Sequence, residues 1–192
     1  MKTQKLLWAA LALVCALTLS CKKNDDSTNN GTEQDTKATQ AIVNVSFQVT
    51  EDMYTNLDVK FIVKGVGADN LELIINPDLL KESTSDKYKY YTIPLQATVP
   101  GTASIKTVVT AKNGVDLASV AKLDFYKGYM YQYATYNAAG KQVFISGNEM
   151  NISTSPKTST GAKLKELMDL GSVNQELSFT FDAEGKCTHK HN

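Results

Sequence analysis

The chain has 192 residues, of which 42% are hydrophobic and 21% charged. This composition fits one globular domain of ordinary size behind a targeting segment, and it excludes a mainly disordered chain. The basic residues are all lysines, and they equal the acidic residues in number, so the formal net charge is zero. Because there is no basic surplus to hold a polyphosphate, nucleic acid is not an expected partner.

The first 20 residues have the three parts of a secretory signal. Lys2 and Lys5 form the basic start, an apolar run follows over residues 6–19, and the small residue Ser20 precedes Cys21. The apolar run is too short to cross a bilayer, which requires roughly 20 residues. We therefore interpret residues 1–20 as a cleaved export signal.

The junction Leu17-Thr18-Leu19-Ser20-Cys21 resembles the lipobox of bacterial lipoproteins, with Thr18 where the usual pattern prefers Leu. The segment Lys22-Lys23-Asn24-Asp25-Asp26 is similar to the Lys-then-acidic tag that directs Bacteroidetes lipoproteins to the outer face of the outer membrane. The alternative for this segment is a merely polar tether. The resemblance implies a lipoprotein signal peptide, a palmitate-type lipid anchor on Cys21 and a surface-exposed protein in the outer membrane.

Residues 21–40 follow as the acylated cysteine and a flexible stalk. Only Ala38 is aliphatic between positions 22 and 40, so this segment cannot bury enough apolar surface to order itself. Cys187 is the one thiol that remains beyond the stalk, which excludes an intrachain disulfide in the folded part.

From residue 41 onward, apolar and polar residues alternate, as is typical of strands with one buried face. The clearest strands cover 41–49 and 57–64, separated by a polar loop over 51–56, and a weaker one covers 71–75. Pro94, within the strand 88–99, favours a sheet edge or a kink because proline cannot donate to a ladder. The pattern predicts an all-β protein, an antiparallel immunoglobulin-like β-sandwich over residues 41–192, with a possible subdivision near 127–128.

Three hairpins and one helix are predicted in the second half of the chain. Asn113-Gly114 favours a type I′ turn that pairs 102–112 with 115–125. The strands 129–136 and 142–146 form the second hairpin, and 176–181 with 186–191 form the third. One short C-terminal helix is expected over 161–170, capped by Thr160 and ended by Gly171.

Three tyrosines of the strand 129–136 are a candidate ligand site. Tyr129, Tyr131 and Tyr133 alternate with other residues and so share one face of the strand. If exposed, the row would be a flat surface for stacking on sugar rings or for anchoring a protein. The alternative is that the row faces the core, with each hydroxyl at the rim.

The last strand carries the only histidines and the last thiol. Cys187, His189 and His191 also alternate, so the three could offer ligands to Zn or Cu from one side of the strand. The simpler alternative places Cys187 inward and leaves the histidines in solvent. We expect no resident cofactor.

The sequence contains no nucleophile or phosphate-binding motif in a suitable context, and no histidine outside the terminus could act as a general base. We therefore expect a binding module rather than an enzyme, with the membrane as a partner through the anchor and a glycan or a protein as the ligand. By resemblance to surface lipoproteins, a glycan-binding accessory role comes first. A structural or adhesive subunit similar to fimbrillin-like lipoproteins is the alternative, and a hydrolase is a third possibility.

Overall fold

The structure is a computed structural model that describes residues 37–83, 87–152 and 155–192. The expected signal peptide, Cys21 and most of the stalk lie outside these described residues. In chain order the elements are β1 (Gln40–Val49), α1 (Glu51–Asn56), β2 (Leu57–Gly65), β3 (Ala68–Ile74), β4 (Lys81–Glu82), β5 (Lys89–Thr98), β6 (Gly101–Ala111), β7 (Leu123–Phe125), β8 (Tyr129–Tyr136), β9 (Gln142–Ile145), β10 (Glu149–Asn151), β11 (Lys157–Ser159), α2 (Gly161–Asp169), β12 (Gln175–Phe181) and β13 (Cys187–His191).

Two antiparallel sheets form a sandwich. The first has the order β10-β8-β1-β5-β4, with β9 also paired to β8, and the second has the order β13-β12-β6-β2-β3. Strand β1 pairs with β5 in the first sheet and β2 pairs with β6 in the second, which is how the B–E and C–F strands of an immunoglobulin domain are arranged. The predicted all-β sandwich with a short helix is confirmed.

The core forms where the alternating apolar faces of the two sheets meet. On β1 the inward-facing Val43, Val45, Phe47 and Val49 are buried, as the alternation predicted, and Ser46 and Gln48 on the opposite face are buried as well. The ring of Phe47 lies 4.8 Å from that of Phe61 on β2, centroid to centroid. Each fully buried aliphatic or aromatic side chain contributes about 1.5–3 kcal/mol, so this interface is the main source of stability.

Pro94 lies on a strand with a largely open edge. It stands opposite Asn44 of β1, while β4 on the other side of β5 reaches only Lys89 and Tyr90. The missing N–H of Pro94 therefore costs no ladder bond on that second side. The predicted edge position is confirmed.

The segment 51–56, expected as a loop, is the helix α1 instead. Thr50 caps the helix, because its hydroxyl accepts a hydrogen bond from the N–H of Met53 at 3.1 Å and donates to the carbonyl of Asp124 at 2.7 Å. Met53 is buried in the core. The polar residues around one apolar position thus form a capped helical link between the two sheets.

The predicted hairpin between 102–112 and 115–125 is wrong. Strand β6 lies between β2 and β12, and β7 pairs with β11. Asn113-Gly114 does form a turn, in which the N–H of Val115 donates to the carbonyl of Lys112 at 3.0 Å. After it, however, a 3₁₀ turn over Leu117–Ser119 interrupts the strand. Strand β6 instead forms long antiparallel ladders with β2 on one side and β12 on the other, which leaves no side for a local partner.

Helix α2 confirms the predicted C-terminal helix. The hydroxyl of Thr160 accepts from the N–H of Lys163 at 3.2 Å, and Gly171 ends the helix with a φ of +69°. The N–H of Gly161 donates to the carbonyl of Val120 at 2.8 Å. A Cβ at Gly161 would overlap the carbonyl of Leu117, so glycine permits this close packing of α2 on the β6–β7 connection.

The folded domain starts before residue 41. Ala38 is buried, the N–H of Thr39 donates to the carbonyl of Tyr136 at 2.8 Å, and the carbonyl of Thr39 accepts from Val99 at 2.9 Å. The described residues from 37 onward belong to one compact unit, and the position near 127–128 considered for a subdivision lies inside it. Within the described ranges, no helix is long and apolar enough to cross a membrane.

Two buried threonines differ in hydrogen bonding. The hydroxyl of Thr50 has the two partners given above, whereas the hydroxyl of Thr107 on β6 has no partner among the described residues. A buried hydroxyl without a partner lowers the free energy of unfolding, whereas a hydroxyl that caps a helix raises it. The two sites therefore allow the same substitution to be compared in opposite contexts.

We expect Thr107→Val to raise the free energy of unfolding by about 1 kcal/mol, because it replaces an unpaired buried hydroxyl with a methyl group of similar size. Thr50→Val should lower it by about 1–2 kcal/mol through loss of the helix cap. Urea denaturation of both variants and the parent measures the two changes. Equal losses in both variants would contradict the assignment of Thr107 as unpaired.

Candidate functional site

The tyrosine row of β8 faces the second sheet. Tyr133, Tyr131 and Tyr129 stand opposite Val43, Val45 and Phe47 of β1, and paired residues point to the same face of a sheet. Tyr129 is only 3% exposed, while the other two are half-buried. The tyrosine row therefore faces the core, as the alternative had it. Ligand binding by the exposed parts of Tyr131 and Tyr133 stays a prediction.

Aromatic contacts fill the space between β8 and the second sheet. The ring of Tyr131 lies 4.9 Å from that of Phe179, and the ring of Tyr133 lies 5.4 Å from that of Phe181. Burial raises the pKa of Tyr131 to about 12. Near neutral pH this hydroxyl stays protonated and can donate a hydrogen bond at the rim of the sandwich.

The metal site considered for Cys187, His189 and His191 is not formed. No group of three or more His, Cys, Asp or Glu side chains in the described residues could hold a metal ion. The two histidine rings instead make aromatic contacts, His189 with Phe179 and His191 with Tyr129. Burial also raises the pKa of the Cys187 thiol to about 11, which disfavours the thiolate that a metal would bind.

His189 is instead part of the aromatic layer. Its ring stacks on Phe179 at a centroid distance of 5.4 Å and lies 4.9 Å from the ring of Tyr131. Its Nε2 lies 3.4 Å from the hydroxyl of Tyr129. Burial, followed by the charge of His191, lowers the pKa of His189. The histidine is therefore held neutral by its packing.

A cleft of about 280 Å³ opens beside this layer. We call it the lysine cleft. Its lining combines apolar and aromatic residues with amine, amide, hydroxyl and imidazole groups. The lining residues are Phe125, Tyr126, Lys127, Gly128, Asn151, Ile152, Ser155, Lys157 and His191.

Four separate segments build the lysine cleft. Strand β7 and the residues after it supply the floor, and the antiparallel pairing of β11 with β7 places Lys157 opposite Phe125. The backbone carbonyl of Gly128 accepts from the N–H of Gln48 at 2.9 Å. A Cβ at Gly128 would overlap the side chain of Gln48, which is buried, so glycine is needed where this connection crosses β1.

Tyr129 supports two residues of the lysine cleft from behind. Its side chain forms a hydrogen bond with Asn151, and its ring meets that of His191 edge-on at 5.2 Å. Tyr129 and His191 were both singled out in the sequence, one as a stacking residue and the other as a metal ligand. The structure brings them into contact, with His191 lining the cleft and Tyr129 packed against it.

Two lysines dominate the electrostatics of the lysine cleft. Burial lowers the pKa of Lys127, and the charge of Lys157 lowers it further. The ammonium group of Lys127 donates to the carbonyl of Ser172 at 2.9 Å. None of the described residues that line the cleft is Asp or Glu. The cleft is therefore a place of concentrated positive charge on a chain with no net charge.

Of the residues that line the lysine cleft, sequence analysis named only His191 as a candidate site residue. It missed Phe125, Asn151, Ile152, Ser155 and Lys157 as site residues. These residues are up to 32 positions apart in the chain, and the pairing of β7 with β11 brings them together. Strands of three residues carry too little alternation to be recognised, and β7 had been assigned to a different partner.

An exposed apolar edge lies on the side of β8 that faces away from β1, where β9 and β10 pair with it. Strand β9 exposes Val143, Phe144 and Ile145, and β10 exposes Met150. Phe144 also touches the ring of Tyr133, at a centroid distance of 5.6 Å. Strands at a sheet edge with apolar side chains are suited to pairing with another chain.

Comparison with protein-family models, with curated proteins and with solved structures found no match to this chain. Inferences about its function therefore depend on the chemistry of its own residues.

We expect His189 to make stability depend on pH. Its folded pKa is lowered from the ordinary 6.5, so its contribution is complete above that pH and is lost as pH falls, since the unfolded chain takes up the proton first. Between pH 7 and pH 5, the free energy of unfolding should fall more steeply in the parent than in His189→Gln. Urea denaturation across this range measures the slopes.

His191→Gln is the matched control on the same strand. It should keep most of the slope of the parent, because burial is a larger cause of the lowered pKa of His189 than the charge of His191. A His189→Gln variant with the unchanged slope of the parent would contradict the prediction.

Proposed function

We propose that this protein is a lipid-anchored, surface-displayed binding module, non-catalytic, whose lysine cleft captures a glycan. The lipobox-like residues 17–21 and the Lys-then-acidic segment after them support the anchor and its place in the outer membrane. The observation that carries the binding role is the lysine cleft, which concentrates hydrogen-bonding side chains around an apolar floor.

The lining suits a sugar. Carbohydrates present hydroxyl groups that exchange hydrogen bonds with amide, amine and hydroxyl side chains, and they present C–H faces that pack on apolar surface. Asn151, Lys127 and Lys157 supply polar groups, and Ile152 with Phe125 supplies the apolar surface. At about 280 Å³ the cleft lies near the lower end of the range for small-molecule sites, so it would hold one or two sugar rings.

The anchor can be tested by metabolic labelling. In a bacterial host that processes lipoproteins, the parent should incorporate a palmitate analogue and fractionate with the membrane, and Cys21→Ser should do neither. Cys187→Ser removes the other cysteine outside the signal and should be labelled like the parent. Label retained in Cys21→Ser would overturn the proposed anchor.

Glycan capture can be tested on a glycan array with the full chain, purified from membranes in detergent. The parent should bind at least one class of oligosaccharide, and Ile152→Trp should weaken that binding by about tenfold or more, because an indole on the cleft wall occupies space that the sugar needs. Val66→Trp is the matched control, since Val66 is an apolar residue that is 50% exposed, against 37% for Ile152, and does not line the cleft.

The exposed edge of β9 and β10 supports a second candidate, a structural or adhesive subunit that associates through strand pairing. If the parent binds no oligosaccharide and instead forms larger assemblies as its concentration rises, measured by light scattering, this second candidate replaces the first. Equal weakening by Ile152→Trp and Val66→Trp would place the glycan site outside the cleft.

A further inference from the structure

We propose that the lysine cleft selects anionic glycans, in which a carboxylate or sulfate group of the sugar lies between Lys127 and Lys157. This inference rests on the proposed glycan-binding function and names the class of its ligand. It is carried by the presence of two cationic side chains, from two different strands or connections, in one cleft whose described lining residues include no Asp or Glu.

Lys127 is fixed in place. Its side chain is half-buried, and its ammonium group donates to the carbonyl of Ser172 at 2.9 Å. An ammonium group has three donors, so this bond orients the group and leaves further donors for a ligand. A cation that is oriented before binding loses less conformational entropy when the ligand arrives.

Lys157 reaches the same cleft from a different strand. The ladder between β7 and β11 sets its position opposite Phe125, and it is close enough to Lys127 for the two charges to interact. Two like charges that share a partly desolvated site repel each other. An anion between them would offset this repulsion and gain two charge-assisted hydrogen bonds.

No carboxylate of the described residues forms an ion pair with either lysine. Elsewhere several lysines are paired, such as Lys163 with Glu166 and Lys165 with Asp169 on α2, both at 2.8 Å. The nearest acidic residue along β7, Asp124, is already bound, because its carboxylate accepts from the hydroxyl of Thr158 at 2.6 Å. Neither cleft lysine therefore has its charge neutralised by a described carboxylate, so both can pair with an anionic ligand.

The rest of the lining fits a sugar better than a free inorganic anion. An inorganic anion needs only the two lysines, whereas the cleft also offers apolar surface from Ile152 and Phe125 and a side-chain amide from Asn151. A sugar acid uses both kinds of contact at once. Ionic attraction of this partly exposed kind weakens as salt screens it.

The experiment uses matched pairs of oligosaccharides, each an acidic chain beside the same chain with its carboxylates methyl-esterified or its sulfates removed. Affinities of the full chain in detergent are measured at low and at high salt. We expect the acidic member of at least one pair to bind about tenfold or more tightly than its neutral partner, and this preference to shrink at high salt.

The test variant is Lys127→Gln with Lys157→Gln, in which glutamine keeps a hydrogen-bond donor and loses the charge. It should lose the preference for the acidic member and keep affinity for the neutral one. Lys163→Gln with Lys165→Gln is the control, since it changes net charge equally on exposed residues outside the cleft. The control should retain the preference.

The outcomes separate the two proposals. Equal binding of acidic and neutral members, or an equal loss of preference in the control, overturns the anionic selectivity while glycan binding stands. Binding of no member of any pair overturns glycan binding itself and the selectivity with it. Tight binding of sulfate or acetate alone, without gain from the attached sugar, assigns the cleft to a free anion and also overturns the proposal.

Discussion

The contact between Phe47 and Phe61 across the two sheets is the interaction on which the rest of the structure depends. Phe47 lies on β1 and Phe61 on β2, and Tyr91 of β5 stacks on Phe61 at 5.6 Å, so the three rings join strands of both sheets at one place. All three strands lie within residues 40–98, with α1 as the link between β1 and β2. A core made by early strands provides two sheets to which later strands can add.

The later strands add at the sides of this core, and the proposed site forms among them. Strand β8 joins the free side of β1, and β12 joins the free side of β6. The aromatic layer of Tyr131, Phe179 and His189 then closes the space between these two added strands. The lysine cleft lies where this layer ends, beyond Tyr129. Side chains at the end of the layer remain available because no further strand covers them.

Features of the fold that depend on residues close together in the sequence could be predicted, and features that depend on distant residues could not. The inward faces of β1 and β2, the cap of α2 at Thr160 and the last hairpin depend on neighbouring residues and were predicted correctly, whereas the burial of Ser46 and Gln48 on the other face of β1 was not predicted. The pairing of β6 depends on a competition among distant strands. There the local turn at Asn113-Gly114 indicated a hairpin, whereas β2 and β12 occupy the two sides of β6.

The same difference between local and distant interactions explains which residues of the candidate site could be predicted. A period of two correctly put three tyrosines on one face, but which face is buried depends on the register of β8 against β1, which the period alone does not give. Lys157 had no local signal, since its role comes from pairing with a strand 32 residues earlier. Two lysines that are unremarkable in a chain of balanced charge thus become a concentrated positive site only through topology. Their separation in sequence also means that the selectivity proposed for the cleft depends on the intact ladder between β7 and β11, a two-stranded sheet separate from the two sheets of the sandwich.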